Sequence, residues 1–462
     1  MTRSADVADS ELAPAAGLGQ LGIGGLLVTG YLVITRIGTL PASKIGVEIG
    51  PVPLFLTELF ILALLGVVIA TRSRLLIGWL LSGSTAGWPG FSLWVLLLAS
   101  VVYCVAAVGS WGILAVRDMA IFGYGIVFPL TYIALDSEPK AAAAMRAFTY
   151  SGFVLAVLLI GDTASGLHLM FDAEERGVEG VGAVTSFGGG DVGGIIAFST
   201  AALLAYAGVC SRRRLLHLGM AMVCLYAEIV GQTRSAMIGL ALAAFYIFCG
   251  VRPMVRLSLL AQFAATVAAV AAIPLLMPGS SAARIVEGFW LTLRSAGSGA
   301  ADANAYFRLL RWGAVFDLWK SEPLFGVGFG RPVIPASLID LSEVGLFNVG
   351  LPHNTFLTVL ARLGLFGFLL VMIPWFGCIG LGFSMAGRRR YGGDAFAAGA
   401  ALMVMVGFAF FVLFLERPLH SAALWAVAAI VTRLAQPDGS AAAAGTAPLD
   451  HARRIAWQKG YR

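Results

Sequence analysis

The sequence predicts an all-α polytopic membrane protein with about twelve transmembrane helices, and three observations carry that class. Hydrophobic residues make up 59% of the 462 and charged residues only 12%, against roughly 45–50% and 25% in soluble domains, so water cannot be the solvent for most of the chain. Apolar segments long enough to cross a hydrocarbon layer about 30 Å thick recur from end to end. Basic residues concentrate at every second connection between them, as the positive-inside rule requires.

The segments lie near 21–38, 51–70, 90–109, 119–136, 147–161, 192–210, 215–231, 235–250, 257–278, 354–380, 394–415 and 419–435. A span in lipid must satisfy its own backbone polar groups, which makes each a helix. The fifth is short and the last is Ala-rich. One set of connections carries Arg72–Arg74, Lys140 and Arg146, Arg212–Arg214, Arg252 and Arg256, and Arg388–Arg390. The other short connections hold only Lys44, Arg117, Arg176, Arg234 and Arg417. The first set, with both termini, is therefore expected in the cytoplasm. The first apolar run has no small-residue cleavage site and reads as a retained anchor.

Five regions follow. Residues 1–20 are rich in Ala and Gly and read as a disordered cytoplasmic N-terminus. Residues 21–210 hold six spans and an acidic, Gly-rich outer loop near 161–191. Residues 211–380 hold the next four spans and the longest connection, 279–352, too long for a mere linker. The last two spans occupy 381–435, and 436–462 form a cytoplasmic tail with a basic end suited to an anionic leaflet. The net charge of +6 is scattered, which argues against nucleic acid as a partner. The five cysteines, Cys104, Cys210, Cys224, Cys249 and Cys378, lie in or at the ends of apolar segments with no C-x2-C spacing. Neither a disulfide framework nor a zinc site is expected.

Candidate chemistry gathers on the outer side. Arg234 opens the eighth span, where a guanidinium either anchors the helix end or grips a phosphate in bidentate fashion. Within the long loop, 302–320 has helical periodicity, with Leu309, Trp312, Phe316 and Trp319 as an aromatic stripe and Arg308 and Arg311 three residues apart on another face. The bland alternative is a surface helix whose arginines meet lipid headgroups. Gly326-Val327-Gly328-Phe329-Gly330 follows without a preceding strand, so tight turns suit it better than a dinucleotide fingerprint, and backbone amides near a phosphate are the other reading. His353 stands just before Asn354, a natural N-cap for the tenth span. The positive end of that helix favours a neutral imidazole able to accept a proton, although a lone His is more often an interfacial polar tip. Glu416 and Arg417 read as interfacial, and Arg117-Asp118 as an ion pair or part of a cavity wall. No D-x-D occurs, so neither a metal nor a cofactor is expected and arginines would have to hold a pyrophosphate.

Taken in order, Arg234-Ser235, Arg308-x-x-x-Trp312, Glu322-Pro323-Leu324-Phe325-Gly326-Val327-Gly328, His353-Asn354-Thr355-Phe356-Leu357 and Leu363-Gly364-Leu365-Phe366-Gly367 resemble the O-antigen ligase and O-antigen or exopolysaccharide polymerase family. The resemblance implies a GT-C-like glycosyltransferase of the bacterial inner membrane with its site facing the periplasm. It implies an inverting transfer from undecaprenyl pyrophosphate to the lipid A core or to a growing glycan, in the bilayer and alongside other polysaccharide-assembly proteins. By matching position, His353 orients or deprotonates the acceptor hydroxyl, and Arg234 and Arg308 bind pyrophosphate. Arg311 is an added neighbour; Asn354, Trp312, Gly326 and Gly328 support the site. No outer arginine is followed by Gly eleven residues on, a spacing frequent in the polymerases, whereas Arg117-Asp118-Met119-Ala120 resembles exopolysaccharide polymerases. Ligase and polymerase both stay open.

Two other classes compete. Twelve spans with inward termini also suit a secondary transporter, but the sequence offers neither related halves nor a long central linker. A non-catalytic scaffold of an envelope polysaccharide assembly complex would tolerate Ala at Arg308 and His353.

Overall fold

The computed structural model describes residues 15–37, 46–49, 52–83, 86–165, 173–178, 182–187, 189–210, 212–231, 233–296, 303–338, 352–386 and 391–436. The helices are α1 (Gly22–Ile37), α2 (Leu56–Ser82), α3 (Gly87–Trp111), α4 (Ile113–Gly123), α5 (Val127–Ala134), α6 (Glu138–Ser165), α7 (Gly189–Val209) and α8 (Arg214–Gly231). They continue as α9 (Arg234–Gly250), α10 (Pro253–Leu276), α11 (Ser281–Ala296), α12 (Ala303–Ser321), α13 (Thr355–Ser384), α14 (Gly392–Ala409) and α15 (Pro418–Ala435). Two antiparallel hairpins accompany them: β1 (Gly46–Ile49) with β2 (Val52–Phe55), and β3 (Ala173–Val178) with β4 (Gly182–Phe187).

Each of the twelve apolar segments overlaps a helix. Among the described residues nine helical stretches, counting α4 and α5 as one, are long and apolar enough to cross a membrane, and α1 and α9 are shorter apolar helices. The chain is a multi-pass membrane protein.

The boundaries differ from the apolar windows where helix outlasts hydrocarbon. Helix α2 runs on past its window to Ser82, and the basic tract at Arg72–Arg74 is a break inside it, with Arg72 at φ −147°, ψ 34°. Lys140 and Arg146 lie on α6 itself. In the loop near 161–191, α6 continues to Ser165 and β3–β4 follows, a Gly-containing sequence that closes as a hairpin. Of the expected N-terminal region, Leu18–Gln20 is a 3-10 turn. Residues 1–14, Arg388–Arg390 and 437–462 lie outside the described residues, as do parts of 279–352.

The centre of the bundle is α7 and α14, whose spanning windows are each 89% buried, whereas those of α2 and α3 are 22% and 28% buried. Small residues allow this packing. A Cβ on Gly407 would lie 2.5 Å from the Gly239 Cα, and one on Gly239 would lie 2.5 Å from the Val404 carbonyl, so these backbones touch directly. The same reasoning accounts for α15: Ala422, Ala426, Ala428 and Ala429 are fully buried. Its low hydropathy belongs to a helix enclosed by protein.

The two ends of the bundle differ chemically. At one, Arg72 and Lys140 bind Asp136 on the α5–α6 connection, the latter at 2.9 Å. Burial alone would raise the Asp136 pKa, but Lys140 and Arg72 outweigh it and hold the carboxyl below the usual 3.8. Arg146 forks onto both oxygens of Asp394 at 2.8 Å, and Tyr206 donates to the same carboxylate at 2.8 Å. The opposite end carries α12 and the first residues of α9, α13 and α15.

Candidate active site

Helix α12 forms within one residue of the expected span, and the arginine face is the more buried one. Arg311 and Val315 are buried, while Leu309 and Phe316 are 59% and 42% exposed. The expected stripe is therefore divided, with Trp312 directed inward and Leu309 and Phe316 outward. Arg308 and Arg311 find carbonyl acceptors on the protein side, which leaves Leu309 and Phe316 at the surface.

Three segments meet beneath that inward face. Arg308 Nη1 donates to the Phe411 carbonyl at 3.0 Å. One turn along, Trp312 Nε1 donates to the Pro352 carbonyl at 2.8 Å, and its ring lies 6.0 Å from that of Phe411. Pro352 immediately precedes His353, which is half-buried and holds φ 51°. It is the one non-glycine residue with positive φ among the described residues, a conformation that persists only when its surroundings impose it. Asn354 caps α13 as expected: its side chain accepts the Leu357 amide at 3.1 Å.

Arg234 is the first residue of α9 and is half-buried. The glycines of α7 pack closely against the residue before Arg234 and against α14. A Cβ on Gly193 would lie 2.2 Å from Thr233 Oγ1, and one on Gly194 would lie 2.6 Å from the Phe408 ring. Phe408 precedes Phe411, the acceptor for Arg308, by three residues. Arg311 is held differently: its Nε donates to the Leu338 carbonyl at 2.9 Å and its guanidinium lies 4.3 Å from the Phe307 ring centroid.

Gly326 and Gly328 belong to a second arrangement. Helix α13 is interrupted at Gly364, whose φ is 62°. The interruption releases backbone groups that the 323–328 segment satisfies: Val327 and Gly328 amides bind the Ala361 and Arg362 carbonyls at 2.8 and 3.1 Å, and Leu365 and Phe366 amides bind the Pro323 and Leu324 carbonyls at 2.9 and 3.1 Å. A Cβ on Gly326 would lie 2.5 Å from the Gly364 nitrogen. The turn reading of this glycine run thus acquires a definite purpose, the splinting of a broken span.

Several residues here were missed or underrated in sequence. Arg362, inside α13, is buried and pairs with Asp118 at 2.9 Å. Asp118 also takes Arg117 at 3.1 Å and the Gly330 amide at 2.7 Å, so the expected Arg117–Asp118 pair is part of a larger cluster. A charge within an apolar span was the available signal for Arg362. Glu416 is more than interfacial: Thr355 Oγ1 donates to its Oε2 at 2.9 Å, and its Oε1 is buried. Burial pushes the Glu416 carboxyl above its usual 4.5, with the Thr358 and Thr355 hydroxyls acting in the opposite sense. Burial likewise lowers the Arg417 pKa. Among the described residues no group of three His, Cys, Asp or Glu side chains is placed to ligate a metal.

Comparison with known proteins places the central part of this chain. Residues 219–372 match the model of the O-antigen ligase family. The match runs from α8 to the middle of α13 and so includes Arg234, α12, the splinted break and His353. No curated protein matches the chain.

Proposed function

On the premise that residues 219–372 are of the O-antigen ligase family, we propose that this protein transfers a glycan from undecaprenyl pyrophosphate to an acceptor sugar hydroxyl. The acceptor is the lipid A core for a ligase and the growing glycan for a polymerase, with inversion at the anomeric carbon. The observation that carries the reading is the three-segment junction. Arg308 and the His353 lead-in are tied to one another through Phe411 and Trp312, a link that supports pairing a phosphate-binding cation with an acceptor-handling base.

The chemistry follows from charge. As the glycosidic bond breaks, the leaving pyrophosphate gains negative charge, and cations fixed beside it stabilise the transition state more than the ground state. Arg234 and Arg308 take that role, and Arg311 strengthens the local positive field from its buried position. His353 receives the proton of the acceptor hydroxyl as the new bond forms. Asn354 and Trp312 hold the His353 segment; Gly326 and Gly328 hold the span on which it is mounted. No metal enters this account, because guanidiniums carry the charge. The basic end of the bundle, with Arg72, Lys140 and Arg146, supports a cytoplasmic assignment for that face. The junction then faces the periplasm of the inner membrane, within reach of the polyprenyl tail.

The test is complementation of a strain lacking the gene, with glycan resolved by length and by attached lipid. Wild type restores the product; Arg308→Ala and His353→Ala fail at equal abundance. Product on lipid A identifies a ligase, and lengthened glycan on the carrier identifies a polymerase. Full activity in both variants would remove the enzyme reading in favour of transport or scaffolding.

A further inference from the structure

The proposed site needs α12, the Phe411–Glu416 turn and the start of α13 to keep one relative placement. Two of the three pairings are made by α12 itself: Arg308 to the Phe411 carbonyl and Trp312 to the Pro352 carbonyl. The third pairing, turn to α13, is made chiefly by the Thr355 hydroxyl, with the Thr358 hydroxyl also interacting with Glu416. Thr355 Oγ1 accepts the Phe414 amide at 2.8 Å and the Leu415 amide at 3.4 Å, and donates to Glu416 Oε2 at 2.9 Å, with the Val412 carbonyl at 3.3 Å. A hydroxyl has one proton and two lone pairs, so all its capacity is used on this one turn. Thr355 is fully buried. It lies two residues after His353 and is the first residue of α13.

We propose that Thr355 is a positioning residue, which locks the Phe411–Glu416 turn to the start of α13 and so holds Arg308 and His353 in a common frame. The proposal rests on the transferase reading above and adds to it a residue that touches neither substrate. Apart from the Thr358 hydroxyl at Glu416, the turn meets α13 by packing of apolar rings, such as Phe414 against Trp375 at 6.0 Å between centroids, which permits sliding. Hydrogen bonds to one hydroxyl do not. Without them the Phe411 carbonyl drifts, Arg308 follows it, and the distance between the cation and the base is no longer fixed.

Serine retains the hydroxyl; valine keeps the shape without it, and alanine removes both hydroxyl and methyl. The experiment measures glycan transfer by the full chain in detergent-solubilised membranes, with rates divided by the monodisperse fraction so that partial misfolding is not scored as lost chemistry. Thr355→Val and Thr355→Ala are expected to lose at least tenfold in kcat with little change in KM for the lipid-linked donor, and Thr355→Ser to stay within about threefold of wild type. Alanine serves as the second variant should valine yield too little folded protein. Wild-type kcat in either hydroxyl-free variant overturns the proposal, and so does a serine variant as impaired as the alanine one. Arg308→Ala and His353→Ala run in parallel separate the two claims. If these are inactive while Thr355→Val is normal, the transferase reading stands and only the positioning role falls; if these too are active, the transferase reading itself fails.

Discussion

Glu416 illustrates how far a single residue can depart from its apparent character. As an acidic residue in a short connection it reads as interfacial, yet it accepts from a buried threonine and its other oxygen is enclosed. A carboxyl whose pKa is raised by folding binds its proton more tightly folded than unfolded, so folding is favoured at low pH. The stability associated with Glu416 therefore falls as pH rises above 4.5 and levels off once the folded carboxyl is itself ionised. Glu416→Gln should remove this slope, which thermal melts in detergent from pH 4 to 8 will display; parallel wild-type and variant curves would falsify the assignment. Motif order singled out Arg308, Trp312 and His353, and the Asn354 cap was legible in sequence. Phe411 was not legible, because it contributes a carbonyl, and a carbonyl carries no side-chain signature.

At the level of elements, the interruption of α13 makes the sharpest claim. Gly364 and Gly326 both hold positive φ and both abut backbone, and a Cβ on Gly364 would fall 2.4 Å from the Leu324 carbonyl. Gly364→Ala or Gly326→Ala combines backbone strain with overpacking and should cost about 2–4 kcal/mol. Gly328 shares the positive φ but faces open space, so Gly328→Ala should cost only about 1–2 kcal/mol. Melting temperatures of the three variants in one detergent rank them, and equal shifts would mean that the splint does not bear on stability. Hydropathy located α13 but not its break, since a glycine in an apolar run has no signal of its own. The orientation of α12 was likewise hidden: periodicity finds two faces, and only neighbouring carbonyls decide which one turns inward.

Across the whole molecule, burial and polarity are distributed unevenly, and two tests act at that scale. Asp118 and Arg362 connect α4 to α13 through a buried pair. Removing one partner leaves an uncompensated charge, so Asp118→Asn should destabilise by about 3–5 kcal/mol, whereas Asp118→Leu with Arg362→Met should recover much of the loss. Orientation is tested by labelling in a cysteine-free background. Ser337 and Ser73 are exposed near opposite ends of the bundle, so an impermeant maleimide should reach Ser337→Cys in intact spheroplasts and Ser73→Cys only after permeabilisation. The reverse pattern would invert the proposed topology.

The splint across Gly364 also bears on how the chain is made. Residues 323–328 precede α13 in sequence and therefore leave the ribosome before it. When the broken span emerges, its complement has already been synthesised, and the Ala361 and Arg362 carbonyls and the Leu365 and Phe366 amides can be paired as soon as the two segments meet. A span with four open backbone groups is a poor substrate for release into lipid. Order of synthesis thus makes the partners of those groups available within the chain before the span itself is complete.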